Sequence, residues 1–360
     1  MALTLGILLV VLYFGLKTEP LANVNLAEKL PDQPGVRFGP GGSVHSRTPF
    51  NARPLLDPDN TGQFSLEIVL KPLVMDGNGF SFIFCLHNGS DDTQLVMGQW
   101  RSQVIVMNGD DYAHRRKIPR VSANLADDPS SPHLLTISSS LNGTIFYLDG
   151  KAVKKSNQLS LKLPAGDTVQ MIAGNSVYGT HAWQGEIYGL ALYGRALRPR
   201  EAARHYAFWQ ENQHLPLDDV NRPALFYAFD EADARSFKPL TGDLYLDMPA
   251  RNKVLVQKFL ARDLSRFQPQ KLDVKDLLIN FFGFIPLGLV LVLLGRKLGG
   301  SAGGYTFLLA VTGCFLVSLG IEIAQAWIPM RLSDIFDLLL NTGGGAVGAL
   351  AGVFVVRLLR

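Results

Sequence analysis

Seven polar residues stand in the most apolar part of this chain, at spacings that set them side by side. Glu322 and Gln325 are three residues apart, and Asp334, Asp337 and Asn341 follow at intervals of three and four. On a helix those intervals share one face. Arg331 precedes the second group, and Asn280 opens an earlier apolar run. Ionisable groups inside a hydrocarbon layer are costly, so a functional pocket is the default reading, with Glu322, Asp334 or Asp337 as general acid or base. The competing use is structural: Arg331 joined to a carboxylate, with Asn280 and Gln325 closing the network.

A second set of side chains could bind sugar. A carbohydrate site needs an aromatic platform beside amide and carboxylate groups. Trp100 and Tyr112 with Asn108, Asp110 and Asp111, and Tyr178 with His181, have those types. Each serves equally well in loop or core packing. Catalysis on sugars needs two carboxylates close together, and no Glu-x-Asp-x-Glu run supplies them. Glu67 and Glu186 stand alone on apolar stretches and read as outward-facing polar positions. The expectation is a binding module rather than an enzyme. Asp57 and Asp59 are too few carboxylates for a Ca²⁺ site, so no metal or cofactor is expected. The run His114, Arg115, Arg116, Lys117 with Arg120 reads as a solvated loop, with anionic envelope polymers or lipid head groups as its alternative partners. A net charge of +3 without a long basic tract gives no reason to invoke nucleic acid. Cys85 and Cys314 fall in different regions, so no disulfide is expected. Asn88-Gly-Ser and Asn142-Gly-Thr fit glycosylation acceptors but read as turns.

Apolar segments must hold the first set. Residues 3–16 form an apolar run shorter than the roughly 20 that span a bilayer comfortably. No Ala-x-Ala cleavage site follows, so residues 1–20 read as an uncleaved signal anchor. Three longer runs follow at 277–294, 305–327 and 335–359. Pro286 predicts a kink in the first. Arg296, Lys297, Arg357 and Arg360 favour the cytoplasmic side. The pattern predicts four transmembrane helices with both termini inside, and the middle domain and residues 328–334 outside; Lys17 runs against it. Gly344, Gly348 and Gly352, with Ala346 and Ala349 between, offer a close-packing groove to a neighbouring helix or to a second copy of the chain.

Between these segments the period changes from helix to strand. Short alternating runs at 64–70, 80–86, 103–107, 134–138 and 144–148 are broken by Gly, Asn, Asp and Pro. Asp149-Gly150 is a hairpin turn, followed by a strand from Lys151. This spacing predicts an all-β jelly-roll sandwich. Residues 211–273 read as a linker, in which 224–229 and 243–247 add edge strands or form a separate hairpin. Residues 254–260 fit a strand or an amphipathic helix.

Two resemblances follow. Asn280-x-x-x-Phe-x-Pro-x-Gly288, Glu322-x-x-Gln325 and Arg331-x-x-Asp-x-x-Asp-x-x-x-Asn-x-x-Gly344 resemble the VanZ-like membrane family, across about a quarter of the chain. That resemblance implies a bacterial envelope protein, with some relatives associated with glycopeptide resistance. The run 64–71, the Tyr147-x-Asp149-Gly150 hairpin, the closing run 183–197 and the helix-like 199–206 resemble concanavalin A-like and laminin-G-like jelly rolls. The implied plan is an anchor at 1–20, a jelly roll at 36–210, a linker at 211–273 and a VanZ-like membrane bundle at 274–360. The implied location is the bacterial cytoplasmic membrane, with membrane lipids around the helices. The implied function is binding of an envelope glycan or glycosylated partner. A membrane enzyme on a lipid-linked or peptidoglycan precursor is one alternative; a scaffold whose jelly roll binds another protein is the other.

Overall fold

The computed structural model describes residues 1–18, 24–77, 79–125, 128, 130–217, 222–231, 235–261, 274–298, 303–328, 331 and 333–358. Arg360 and residues 262–273, which carried sequence expectations, lie outside them. The chain divides into two compact units: Leu21–Val256, and Met1–Pro20 with Gln257–Arg360.

The first unit is a β-sandwich of two antiparallel sheets, its strands numbered in chain order. One sheet runs β1 (Ala27–Lys29), β2 (Val36–Phe38), β13 (Gly185–Tyr193), β4 (Phe64–Pro72), β9 (His133–Ser140), β10 (Gly143–Leu148), β11 (Lys151–Ser156), with β14 (Leu225–Tyr227) also on β13. The other runs β15 (Ser236–Phe237), β16 (Leu246–Asp247), β3 (Val44–Ser46), β12 (Gln170–Ala173), β5 (Ser81–His87), β6 (Leu95–Trp100), β7 (Gln103–Asn108), β8 (Val121–Asn124). Alternation puts Leu66, Ile68 and Leu70 of one sheet against Phe84, Leu86 and Met97 of the other in one core. The β10–β11 turn is as expected: Asp149 and Gly150 both have positive φ, 51° and 73°, which suits a two-residue turn.

Both outer faces are covered. Helix α3 (Pro199–Asn212) lies on the first sheet, where Trp209 packs with Val69, Ala191 and Tyr193. On the second sheet Phe82, Cys85, Val96, Met107 and Ile172 are roofed by loop residues Tyr112, Val177 and Tyr178. The stretch read as a linker contributes strands to both sheets: β14 joins β13, and β15 and β16 extend from β3. Residues 254–260 are neither strand nor helix.

The second unit is helical. α4 (Val274–Lys297), α5 (Gly304–Gln325) and α6 (Ile335–Leu358) are long and apolar enough to cross a membrane, and α1 (Ala2–Leu16) is a shorter apolar helix. The chain is a membrane protein. α4 continues through Pro286 as one helix. α4 and α6 meet backbone to backbone: a Cβ on Gly344 would lie 1.9 Å from the Phe281 carbonyl oxygen, and one on Gly348 1.9 Å from that of Ile285. The small-residue stripe is therefore occupied by α4 of the same chain. A short helix α2 (Ala52–Leu56) sits in the sandwich unit. Cys85 and Cys314 are free and buried.

Candidate functional sites

A cavity opens at one end of the sandwich, where three chain segments converge: the loop after β4, the β6–β7 turn, and residues 180–184. Its volume is about 220 Å³, with Phe80, Ser81, Arg101, Thr180, His181 and Gln184 among its lining. Gln99, only 4% exposed, braces all three walls. Its Nε2 donates to the carbonyls of Val74 (2.7 Å) and Arg101 (2.6 Å), and its Oε1 accepts the indole N–H of Trp183 (2.6 Å). A side chain at the last-but-one position of a strand thus fixes turn, loop and buried Trp together. The turn carries backbone strain: Arg101 has φ +56°, a region that disfavours side chains other than Gly and Asn. Beside it Trp100 is 39% exposed, with the Arg101 guanidinium 6.0 Å from its ring centre.

The other residues expected to bind sugar are dispersed. Tyr112 stacks on Phe80 (4.9 Å between ring centres), lies 5.4 Å from His181, and its hydroxyl oxygen accepts a hydrogen bond from Gln94 Nε2 (2.6 Å). His181 lines the cavity, so this ring group touches its wall. Tyr178 donates to Asp91 (2.8 Å). Asn108 is tied to backbone: its Nδ2 donates to the Gln94 and Lys162 carbonyls, and its Oδ1 accepts the Lys162 amide. Asp110 pairs with Arg116. Asp111 is buried and organises the basic loop by accepting the amides of Arg115, Arg116 and Ile118. Burial pushes its pKa up, but those amides and His114 outweigh it and hold the carboxyl below its usual range. Sequence reading missed Gln99, Arg101 and Gln184. An exposed Trp beside a cationic turn residue was their only signal.

Several arrangements that could suggest catalysis are otherwise committed. Glu67 is fully buried: it faces away from the core, as expected, but α3 covers it. Its Oε1 accepts from Thr136 (2.8 Å), and its Oε2 accepts from Tyr193 (2.9 Å) and lies 2.9 Å from His205 Nδ1. Glu186 pairs with Arg37. Glu67 stands opposite Ala191, five residues along β13 from Glu186. At about 3.3 Å per residue that is roughly 16 Å, far beyond a retaining-glycosidase pair. Cys85 and His87 share a face of β5, but His87 Nδ1 accepts the Gly89 amide and Nε2 meets Asp91 (3.0 Å). Burial pushes the Cys85 thiol well up, away from the reactive thiolate. Asp57 closes its own turn by accepting from Thr61 and Gly62. Among the described residues no group of three or more His, Cys, Asp or Glu could hold a metal ion.

In the helical unit the polar cluster comes together around the start of α6. Glu322 is 1% exposed, and its Oε2 accepts the Asp334 amide at 2.8 Å. Ser333 also bonds its carboxylate. Glu322 of α5 thus caps the N-terminus of α6, where the helix dipole favours a negative charge. Asp334 Oδ1 accepts the Phe336 amide (2.9 Å). About two turns further along α6, Asn341 donates to Ser318 (2.9 Å). Gln325 donates to the Gly15 carbonyl (2.8 Å) and Arg331 to that of Lys17 (2.6 Å), tying α1 to this end of the bundle. Arg331 therefore spends this donor on backbone. Asn280 is half-buried on α4.

Residues 239–357 match the VanZ/LLP1 family model, so the C-terminal part is VanZ-like. No curated protein matches the chain. Among solved structures, the chain is similar to a putative carbohydrate binding protein from Bacteroides ovatus, with 13% identity and a TM-score of 0.42 over 64% of this chain and 59% of that one. A second is the Ruminococcus gnavus IT-sialidase CBM40 bound to α2,3-sialyllactose (14% identity, TM-score 0.36, 48% of this chain and 96% of that one). A third is the heptameric SAP-like pentraxin of Limulus polyphemus (10% identity, TM-score 0.33, 52% and 82%). The chain thus spans less than two thirds of the Bacteroides protein's length.

Proposed function

We propose that this chain is a bacterial cell-envelope protein of the cytoplasmic membrane, whose sandwich binds a glycan or glycosylated partner outside the cell and whose VanZ-like helices anchor it. The supporting observation is the Gln99-braced cavity. It is preformed, it joins aromatic surface to hydroxyl, amide and guanidinium groups, and its walls are fixed by hydrogen bonds. Such a site can hold a polar ring without first ordering loops.

The helices take the orientation in which Arg296, Lys297 and Arg357 face the cytoplasm. In the polar cluster, Glu322 serves as the clamp between α5 and α6 rather than as an acid or base, because its carboxylate is occupied by the Asp334 amide and Ser333.

The test is a glycan array probed with the full chain in detergent, beside the variants Thr180→Val and Gln184→Ala. Binding to an envelope saccharide, weakened at least tenfold in each variant, is the expected result. Binding unaffected by both would move the site elsewhere. Absence of saccharide binding, with capture of a non-glycosylated protein instead, would favour the scaffold reading.

A further inference from the structure

We infer that the sandwich cavity selects an anionic saccharide, one carrying a carboxylate or phosphate on the sugar that enters it. This rests on the glycan-binding reading and narrows it.

The lining carries charge of one sign. Arg101 is a cation, His181 is a second group able to become one, and Ser81, Thr180 and Gln184 bring hydroxyl and amide groups. No described lining residue is Asp or Glu. Asp76, on the loop forming one wall, is exposed and does not line the cavity. Neutral-sugar sites usually present carboxylates to accept sugar hydroxyls; this one presents a guanidinium, which only donates, beside hydroxyl and amide groups that both donate and accept. A guanidinium is the side chain whose fork matches a carboxylate or phosphate in two parallel bonds.

The backbone supports the same reading. Arg101 occupies a positive-φ turn position that Gly or Asn would hold with less strain. A long cationic side chain kept at a strained position beside a cavity points to use of that side chain. Gln99 fixes the carbonyl of the same residue, so the root of the guanidinium is anchored. Trp100 next to it is 39% exposed, with the guanidinium 6.0 Å from its ring centre, so the cation stands between the cavity and an aromatic surface. At about 220 Å³ the cavity is smaller than the roughly 300–1,000 Å³ that encloses a drug-sized ligand. It therefore takes one charged residue of a chain.

The experiment is titration of the full chain in detergent, followed by tryptophan fluorescence and calorimetry, with four probes. These are a hexuronate oligosaccharide, the neutral hexose oligosaccharide of the same linkage, a phosphate-substituted saccharide, and inorganic phosphate alone. The hexuronate or phosphate-substituted saccharide should bind at least tenfold more tightly than the neutral one, and whichever is tighter identifies the source of the anion. Arg101→Gly removes the guanidinium and relieves the strained φ, so it should keep or raise the melting temperature while abolishing the preference for charge. Arg101→Lys should recover part of it. Equal binding of neutral and charged chains would overturn this inference and leave the glycan-binding reading standing. Binding of inorganic phosphate as tight as that of the substituted saccharide would overturn it too, as a site for a free anion. If no saccharide binds at all, both readings fall.

Discussion

Gln99 shows how one side chain can decide a site's shape. Its side-chain hydrogen bonds end on three segments, and one partner is the indole of buried Trp183. Replacing it with Leu keeps the volume and removes every bond, leaving the indole N–H and the Val74 carbonyl to find new partners. A buried group left unsatisfied costs about 1–3 kcal/mol. Gln99→Leu should therefore lower the stability of the sandwich by about that much, read by thermal denaturation, and should also loosen saccharide binding. A loss in binding with unchanged stability would place Gln99 in ligand contact instead. His133 makes a prediction about pH. Its Nδ1 lies 2.8 Å from Asp149, and this bond, opposed by burial and helped by the Asp128 carbonyl, raises its pKa above the ordinary value of about 6.5. A raised folded pKa stabilises fully below the unfolded value, and that stabilisation is lost as pH rises through the folded value. Melting temperature should thus fall from about pH 6.5 upward, and this component should be missing in His133→Gln. These residue-level features were barely legible in sequence. Trp100, Tyr112 and His181 were singled out by type, and two of them, Tyr112 and His181, lie together. Asn108 and Asp111 have the right chemistry but spend it on backbone, and composition does not tell a ligand-facing amide from one that ties a loop.

Elements were more legible than sites, because periodicity reports burial directly. The runs at 64–70, 103–107 and 144–148 lie within β4, β7 and β10. β16 falls inside 243–247, read as an edge strand, and it extends the sheet from β3, whereas β15, of two residues, was not separable from loop, since its pairing is imposed by β16 rather than by local pattern. Glu67 was read correctly as facing off the core, yet its burial depends on α3 arriving from more than a hundred residues away. In the membrane unit the glycines of α6 set the helix spacing. A methyl group on Gly344 or Gly348 would stand 1.9 Å from an α4 carbonyl oxygen, so α4 and α6 would have to separate. Gly344→Ala and Gly348→Ala should each cost about 1–3 kcal/mol, or prevent accumulation of the folded protein. Gly320→Ala, with nothing within 4 Å of its Cβ, should be neutral. Thermal unfolding in detergent measures all three. The cap on α6 gives a graded comparison: Glu322→Gln retains a carbonyl acceptor for the Asp334 amide, whereas Glu322→Leu removes it. The Leu variant should be the less stable by about 1–2 kcal/mol, near the usual worth of a helix cap. If the Gln variant were fully stable and yet abolished an envelope phenotype, the clamp reading would give way to proton chemistry.

At the scale of the whole chain, the side of the membrane on which the sandwich stands depends on α4, the helix that follows it. α1 contains 15 residues, about 22 Å at roughly 1.5 Å per residue, against a hydrocarbon core of about 30 Å. Full insertion of α1 needs local thinning of the bilayer or support from its neighbours, and it packs on α4 and α5 through Ile7, Val11, Phe284 and Ile321. α4 is long enough by itself, and in the proposed orientation Arg296 and Lys297 in its last turn face the cytoplasm. The start of α4, and hence the chain leading into it, is then outside whether or not α1 spans. Cysteine accessibility in whole cells separates the two helices. In a background with Cys85→Ala and Cys314→Ala, an impermeant thiol reagent should label Lys155→Cys, on the exposed β11, and should leave Ser301→Cys unlabelled until the cells are opened. A cysteine at Ala2 reports α1 alone: protected if α1 spans, labelled if it does not, with no change at the other two positions. Labelling at Ser301 with protection at Lys155 would invert the bundle, and a cytoplasmic sandwich would meet no envelope saccharide.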